Sequence, residues 1–191
     1  YPRFSSNGLV VATDGGAVII DTAWTEGQTI ELLDWAEANL GAVRAVYVTH
    51  WHDDRTAGLA EVHRRGIPSF GGRRTRAMGL AHGSMSPRRA VPDRQPLAPV
   101  GIDGEFFYPG PGHTMDNAVV WLADAGILFG GCLVKSASAG GLGYTEDADL
   151  DAWDDSLARL RERYGEALLV VPGHGDPGDL GLVDHSIALG Q

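Results

Sequence analysis

His50-Trp51-His52-Asp53-Asp54-Arg55 places two imidazoles and two carboxylates on consecutive residues, directly after the apolar run 43–48. His50, His52 and Asp54 alternate along the chain, so a loop at a strand end can turn all three toward one point. Imidazole nitrogen and carboxylate oxygen bind zinc at about 2.0 to 2.2 Å, and zinc so held can activate water. The plainer reading is three polar residues on an exposed strand face. It is disfavoured because apolar side chains usually fill such positions beside a buried run.

Of the seven histidines, two more sit in a similar setting. His113 lies in Pro109-Gly110-Pro111-Gly112-His113-Thr114 and His174 in Val171-Pro172-Gly173-His174-Gly175, each just after an apolar or aromatic strand. Glycine beside the histidine allows a sharp backbone turn and leaves room for the ring. Cys132, the sole cysteine, follows Ile127-Leu128-Phe129-Gly130-Gly131 in the same way. Alone, His174 reads as a loop residue and Cys132 as a small buried hydrophobe. Taken with HxHxD they complete a candidate ligand set of His50, His52, Asp54, His113, Cys132 and His174. Six protein ligands are too many for one tetrahedral ion that keeps an open position, and two ions with three ligands each satisfy the count. His63, His82 and His185 fall in helix-like sequence and are read as ordinary surface or helix residues.

Alternating strands and helices must position these donors. Residues 8–13 and 17–21 read as two strands around Asp14-Gly15-Gly16, a hairpin. Ile30, Leu33, Ala36 and Leu40 give 26–40 one apolar side, and Gly41 supplies a stop. After the metal loop, 56–65 reads as a helix, 67–70 as a strand and 73–82 as another helix. Residues 84–99, rich in proline, are expected to be irregular. Strands are predicted at 105–108, 118–122, 127–130 and 167–171. A helix capped by Asp149 or Asp151 carries Trp153, Leu157, Leu160 and Tyr164, and a short helix closes the chain near 180–189. Strand runs bracketed by helices in both halves suggest an α+β layering of two sheets face to face with helices outside.

The length, 191 residues, suits one domain spanning 1–191. A formal charge of -10, from 25 acidic against 15 basic residues, disfavours nucleic acid and anionic membranes as partners. Arg73, Arg74, Arg76, Arg88, Arg89 and Arg94 form a local basic stretch without interleaved aromatics and read as a solvated surface. A lone cysteine permits no internal disulfide and leaves the redox compartment open. No apolar run approaches the roughly 18 residues of a membrane span. No leader opens the chain, and Tyr1-Pro2-Arg3-Phe4 runs at once into strand-like sequence, so earlier residues are expected to be missing.

Together these residues resemble a zinc-dependent metallo-β-lactamase, most closely subclass B1. The resemblance runs nearly end to end through Ile20-Asp21-Thr22-Ala23-Trp24, HWHDDR, PGPGHTMDN, FGGCLVKS and VPGHG. It implies an αββα sandwich with the active site along one edge. Arg55 and Cys132 stand where the wider superfamily commonly has a histidine and a bridging aspartate, which separates this sequence from thioesterase, lactonase and nuclease relatives. By similarity, His50, His52 and His113 hold a first zinc and Asp54, Cys132 and His174 a second; Asp53 is not a ligand. The implied reaction is hydrolysis of the β-lactam amide by a zinc-bound hydroxide, with no covalent acyl-enzyme. Asp54, Lys135 and Tyr144 are the implied catalytic residues. Lys135, Tyr144 and Trp24 are expected to bind substrate, and Lys135 attracts its carboxylate. Asp21, Arg55 and Asp116 are candidates to orient ligands by hydrogen bonds.

Tyr144 stands where many relatives place an asparagine, which leaves the preferred β-lactams open. Relative to the family, the chain is expected to be short at both ends. A periplasmic monomer is implied. The alternatives are a lactone or thioester hydrolase of the same fold, or a truncated, non-catalytic zinc-binding relative.

Overall fold

Asp14 and Gly15 turn the chain between β1 (Leu9–Thr13) and β2 (Gly16–Ile20), which pair antiparallel from Leu9↔Ile20 to Thr13↔Gly16, as the hairpin reading expects. Gly16 takes φ +131, and a Cβ there would stand 2.0 Å from the Ala42 carbonyl oxygen, so the turn needs glycine. In the computed structural model, which describes residues 5–191, the hairpin opens one of two compact units. The first comprises 8–103 and the second 104–191 with 5–7.

In the first unit the sheet order is β1-β2-β3-β4-β5, with β3 at Val43–Val48, β4 at Ser69–Gly72 and β5 at Arg89–Val91. From β2 onward the pairings are parallel, so these strands share one carboxyl end. Helix α1 (Glu26–Leu40) starts at Thr25, whose side chain accepts from the Gln28 N–H, and stops at Gly41, φ 93. Leu33 and Ala36 from α1 join Ile19, Val46, Val48, Leu59 and Val62 in the core. Ile30 is only half-buried, and Thr29 takes the buried place. Its hydroxyl donates to the Thr25 carbonyl, 3.0 Å, and accepts the Ala23 N–H, 3.2 Å, so a polar side chain is satisfied there.

Three expectations are corrected. Residue 53 already begins a helix, α2 (Asp53–Thr56), so Asp54 and Arg55 are helical and not loop residues. The helix expected over 56–65 is broken at Ala57-Gly58, and α3 runs Leu59–Arg64. Gly58 donates to Thr22 Oγ1, 3.0 Å, and a Cβ on it would meet Thr29 Oγ1 at 2.0 Å. The break is therefore where two segments lock together. The stretch 84–99 holds β5, the short strand β6 (Arg94–Pro96) and the start of a 3-10 turn, Ala98–Val100; proline at strand ends does not prevent pairing. Helix α4 (Arg73–His82) forms as expected.

In the second unit, β7 (Gly104–Phe107), β8 (Val119–Leu122), β9 (Ile127–Gly131) and β10 (Leu169–Pro172) lie in the order β10-β9-β8-β7. Strands β7, β8 and β9 are antiparallel neighbours and β10 is parallel to β9, so this sheet is mixed. Asp149 caps α5 (Leu150–Arg163) through the Ala152 N–H, 3.0 Å. Trp153, Leu157 and Leu160 of α5, with Tyr164 just beyond it, pack on Val119, Trp121, Leu128 and Val170, along with Leu182 and Val183 of α6 (Gly181–Gly190). The periodic face read from the sequence is the buried one. Among the described residues no helix is long and apolar enough to cross a membrane.

Trp153 is 1% exposed and its indole N–H donates to the Leu133 carbonyl, 2.9 Å. Trp153→Ala is expected to lose about 3–5 kcal/mol of stability through the cavity it leaves, read as a lowered urea midpoint. An unchanged midpoint would mean that this core does not depend on the indole.

Candidate metal centre

Parallel pairing of β2 with β3 brings Asp21, next after β2, beside Thr49 and His50, next after β3. The Asp21 N–H donates to the Tyr47 carbonyl, 2.7 Å. Asp21 takes φ 64, the only left-handed non-glycine among the described residues, a conformation aspartate tolerates better than most. Its carboxylate accepts the Thr49 N–H at 2.7 Å and the Thr49 hydroxyl at 2.8 Å. With its proton given to Asp21, Thr49 Oγ1 acts as acceptor toward His50 Nδ1, 3.2 Å away. His50 therefore carries its hydrogen on Nδ1 and keeps the Nε2 lone pair for a metal.

The turn into α2 brings the ligand atoms of His50, His52 and Asp54 within 4.8 Å of one another. Between Asp54 and Asp21 lies Arg55, fully buried, with Nη2 3.0 Å from Asp54 Oδ2 and Nη1 3.4 Å from Asp21 Oδ2. The Arg55 carbonyl accepts the Thr22 N–H, 3.0 Å, and hydroxyl, 2.8 Å, so the backbone of α2 is tied to the strand-β2 exit. Burial pushes the Asp21 carboxyl up to about 7, against the downward pull of Arg55 and the Thr49 hydrogen bonds. Asp53 is exposed.

Two contacts here involve residues whose roles sequence spacing left unread. The Trp51 indole stacks on His82 at the end of α4, centroids 4.2 Å apart and planes at 23°, and meets the His52 ring edge-on at 4.7 Å. His82 is exposed, as its helical setting suggested, and it also braces the segment between two candidate ligands. Thr49 was legible only as a strand end, although its place directly before His50 was the available signal.

In the second unit the remaining three donors leave one end of one sheet. Cys132 follows β9 and His174 follows its parallel neighbour β10, where the Gly173 N–H donates to the Gly131 carbonyl, 2.7 Å. His113 lies on the connection entering β8, whose first residues pair near the end of β9. Its loop is cross-braced by Asn117, which accepts the Thr114 N–H at 3.0 Å and donates to the Gly110 carbonyl at 2.8 Å. Gly112 has no room for a side chain: a Cβ would stand 2.5 Å from Leu133 and 3.2 Å from Trp153. The His113 ring packs edge-on to Trp153 at 5.9 Å. His174 Nδ1 is 2.7 Å from the Ser5 carbonyl, which can only accept, so Nδ1 is the donor and Nε2 is left as the metal-facing nitrogen. Asn7 fastens this loop by donating to the Pro172 and Gly175 carbonyls, 2.8 and 2.7 Å. Cys132 and Asp116 are buried.

Lys135 is half-buried, its Nζ 5.1 Å over the Trp153 ring and its N–H bonded to Ser186 Oγ, 2.8 Å. Trp24 is half-buried on the segment between β2 and α1. Tyr144 is exposed, and its hydroxyl donates to Asp147, 3.0 Å, which raises its pKa. That donor is engaged within its own acidic loop, which sets it apart from a ready-made hydrogen bond for substrate.

A family model for the metallo-β-lactamase superfamily matches residues 1–174. The chain belongs to that superfamily. A type 2 metallo-β-lactamase of Bacillus cereus is 41% identical over 185 residues, covering 96% of this chain and 72% of that protein. The crystal structure of the DIM-1 metallo-β-lactamase superposes with a TM-score of 0.94 at 40% identity, covering 100% of this chain and 89% of that one. The mono-zinc FIM-1 metallo-β-lactamase of Pseudomonas aeruginosa gives 0.93 at 32%, covering 100% and 85%. Within the metallo-β-lactamases the chain stands with subclass B1, and its α+β fold is theirs. Membership of this family suggests zinc, and the imidazole, carboxylate and thiolate donors suit it.

Removing the Arg55 guanidinium would leave the buried Asp54 carboxylate uncompensated and drive Asp21 further toward its protonated form, so Arg55→Ala is expected to cost about 3–5 kcal/mol in urea unfolding. A loss near zero would show that Arg55 is dispensable. In the metal-free protein the raised Asp21 carboxyl holds a proton that the unfolded chain, with the ordinary value of 3.8, releases earlier. Stability from this group is full below about pH 4 and is lost as pH rises through about 7. Asp21→Asn should flatten the decline between pH 5 and 7; an identical pH profile in the variant would exclude Asp21 as its source.

Proposed function

We propose that this chain hydrolyses the β-lactam amide bond of penicillins, cephalosporins or carbapenems as a dizinc enzyme. The observation that carries the reading is the preset nitrogen geometry: His50 and His174 each have Nδ1–H bound by an oxygen acceptor, so each offers Nε2 to a metal. His50, His52 and His113 would hold one zinc, and Asp54, Cys132 and His174 the other. When bound, zinc lowers the pKa of a water toward neutrality and puts positive charge where the carbonyl oxygen and departing nitrogen become negative.

The residues of the chain set the geometry for this. Arg55 holds the Asp54 carboxylate in place, which fits it to bind metal. The Asp21-Thr49 pair stops the His50 ring from turning or changing tautomer. Lys135 supplies a point charge for the carboxylate that β-lactams carry, and Trp153 beneath it limits its swing. Trp24 offers an apolar surface to the substrate's side groups. Tyr144 can donate to substrate once its hydroxyl leaves Asp147. One family model spans both compact units, which supports their acting as a single domain. A monomer working in the periplasm, where it would confer antibiotic resistance, completes the proposal.

Zinc content and turnover of a penicillin, a cephalosporin and a carbapenem should be measured on one sample, before and after chelation. About two zincs per chain and turnover that chelation abolishes are expected. A folded, zinc-loaded protein inert toward all three would overturn the proposal, and hydrolysis of lactones or thioesters in their place would redirect it.

Cys132→Ser replaces a thiolate with a hydroxyl that resists deprotonation. It should weaken binding of the second zinc and reduce turnover by about tenfold or more, with the circular dichroism spectrum kept. Unchanged stoichiometry and rate would remove Cys132 from the centre.

A further inference from the structure

Residues 73–94 carry six arginines that the metal chemistry does not use. Strand register puts one of them in a defined place. Tyr47 on β3 pairs with Phe70 on β4, and Phe70 pairs with Arg89 on β5, so the three stand in a row on one face of the sheet. Val46 and Val48, which flank Tyr47, pack into the core beneath α1 and α3, so the row lies on the opposite face. The Tyr47 and Phe70 rings stack, centroids 4.8 Å apart and planes at 16°, and the Arg89 guanidinium stands 5.5 Å from the Phe70 centroid.

This row borders a cavity of about 510 Å³, which Arg44, Gln95 and the apolar Val91 and Pro99 also line. Such a volume suits a small organic ligand. None of its lining residues is a candidate metal ligand, and none is acidic.

In a chain with 25 acidic and 15 basic residues, arginines have carboxylates at hand, and Arg55, Arg64, Arg65, Arg74, Arg161 and Arg163 each pair with one. Arg44 and Arg89, like Arg73, Arg76, Arg88 and Arg159, show no ion pair among the described residues, and what sets the two apart is their place at the cavity; Arg44 donates to the Gly15 carbonyl, 3.2 Å. Two cations without a carboxylate, set at a cavity with a stacked aromatic wall, match a ligand that has both a flat apolar body and a negative end. Arginine suits that partner because its planar fork binds carboxylate and also lies on aromatic faces.

We propose that this cavity binds a small aromatic carboxylate, its ring against Tyr47 and Phe70 and its carboxylate against the Arg44 and Arg89 guanidiniums. The site is separate from the metal centre and does not depend on the reaction proposed there. A bare inorganic anion would leave the aromatic wall unused, and a neutral aromatic would leave the arginines unused.

The test titrates the zinc-loaded whole chain with 2-naphthoate while following backbone amide shifts by NMR. Saturable shifts at Tyr47, Phe70 and Arg89 are expected, with an affinity on the order of millimolar. The double variant Arg44→Ala/Arg89→Ala should bind about tenfold more weakly, with β-lactam turnover unchanged. Naphthamide and inorganic phosphate should each shift these residues less than naphthoate. Shifts confined to the metal-site residues would overturn the proposal, as would equal binding by the double variant or equal binding of naphthamide.

Discussion

A fully buried guanidinium underlies the metal centre. Arg55 cannot be taken from water without compensating charge; Asp54 provides it at 3.0 Å, Asp21 adds to it where ionised, and both are thereby held in place. Asp54 is positioned among the candidate ligands. Asp21 is positioned to accept from Thr49, and through Thr49 it sets which nitrogen of His50 faces the metal. One ion cluster thus fixes the direction of two candidate ligands.

This cluster in turn requires the parallel sheet. Only because β2 and β3 run side by side in the same direction do residues 21 and 49 emerge as neighbours. Alpha-helical backbone from residue 53 then carries Asp54 and Arg55 on successive positions, one toward the ligands and one into the interior. The break at Gly58 follows from the same demand, since its N–H and its lack of a side chain let α2 and α3 close on Thr22 and Thr29. On the second sheet the same logic recurs in milder form: β9 and β10 are parallel, and their exits carry Cys132 and His174.

Legibility in the sequence followed the range of the interaction. Amphipathic helices such as α1 and α5, the hairpin at Asp14-Gly15 and the placing of His50, Cys132 and His174 just after strands are local patterns, and they were read from spacing alone. Boundaries failed where a distant partner decided them. Helices α2 and α3 part at Gly58 because Thr22, 36 residues earlier, accepts its N–H. Strands β5 and β6 form in a proline-rich stretch because pairing partners are present, which no propensity reports.

The sequence by itself determined the donor types, their order and the loops that carry them, because metal ligands must be particular side chains and strand ends are marked by apolar runs and glycines. Its resemblance to the metallo-β-lactamases rests on that chemistry. Tertiary structure alone decided which nitrogen each locked histidine offers. His174 takes its tautomer from Ser5, 169 residues away in the chain, and Trp51 is braced by His82 at the end of α4. Such contacts depend on how separate segments pack, and packing leaves no periodic trace in the segments themselves.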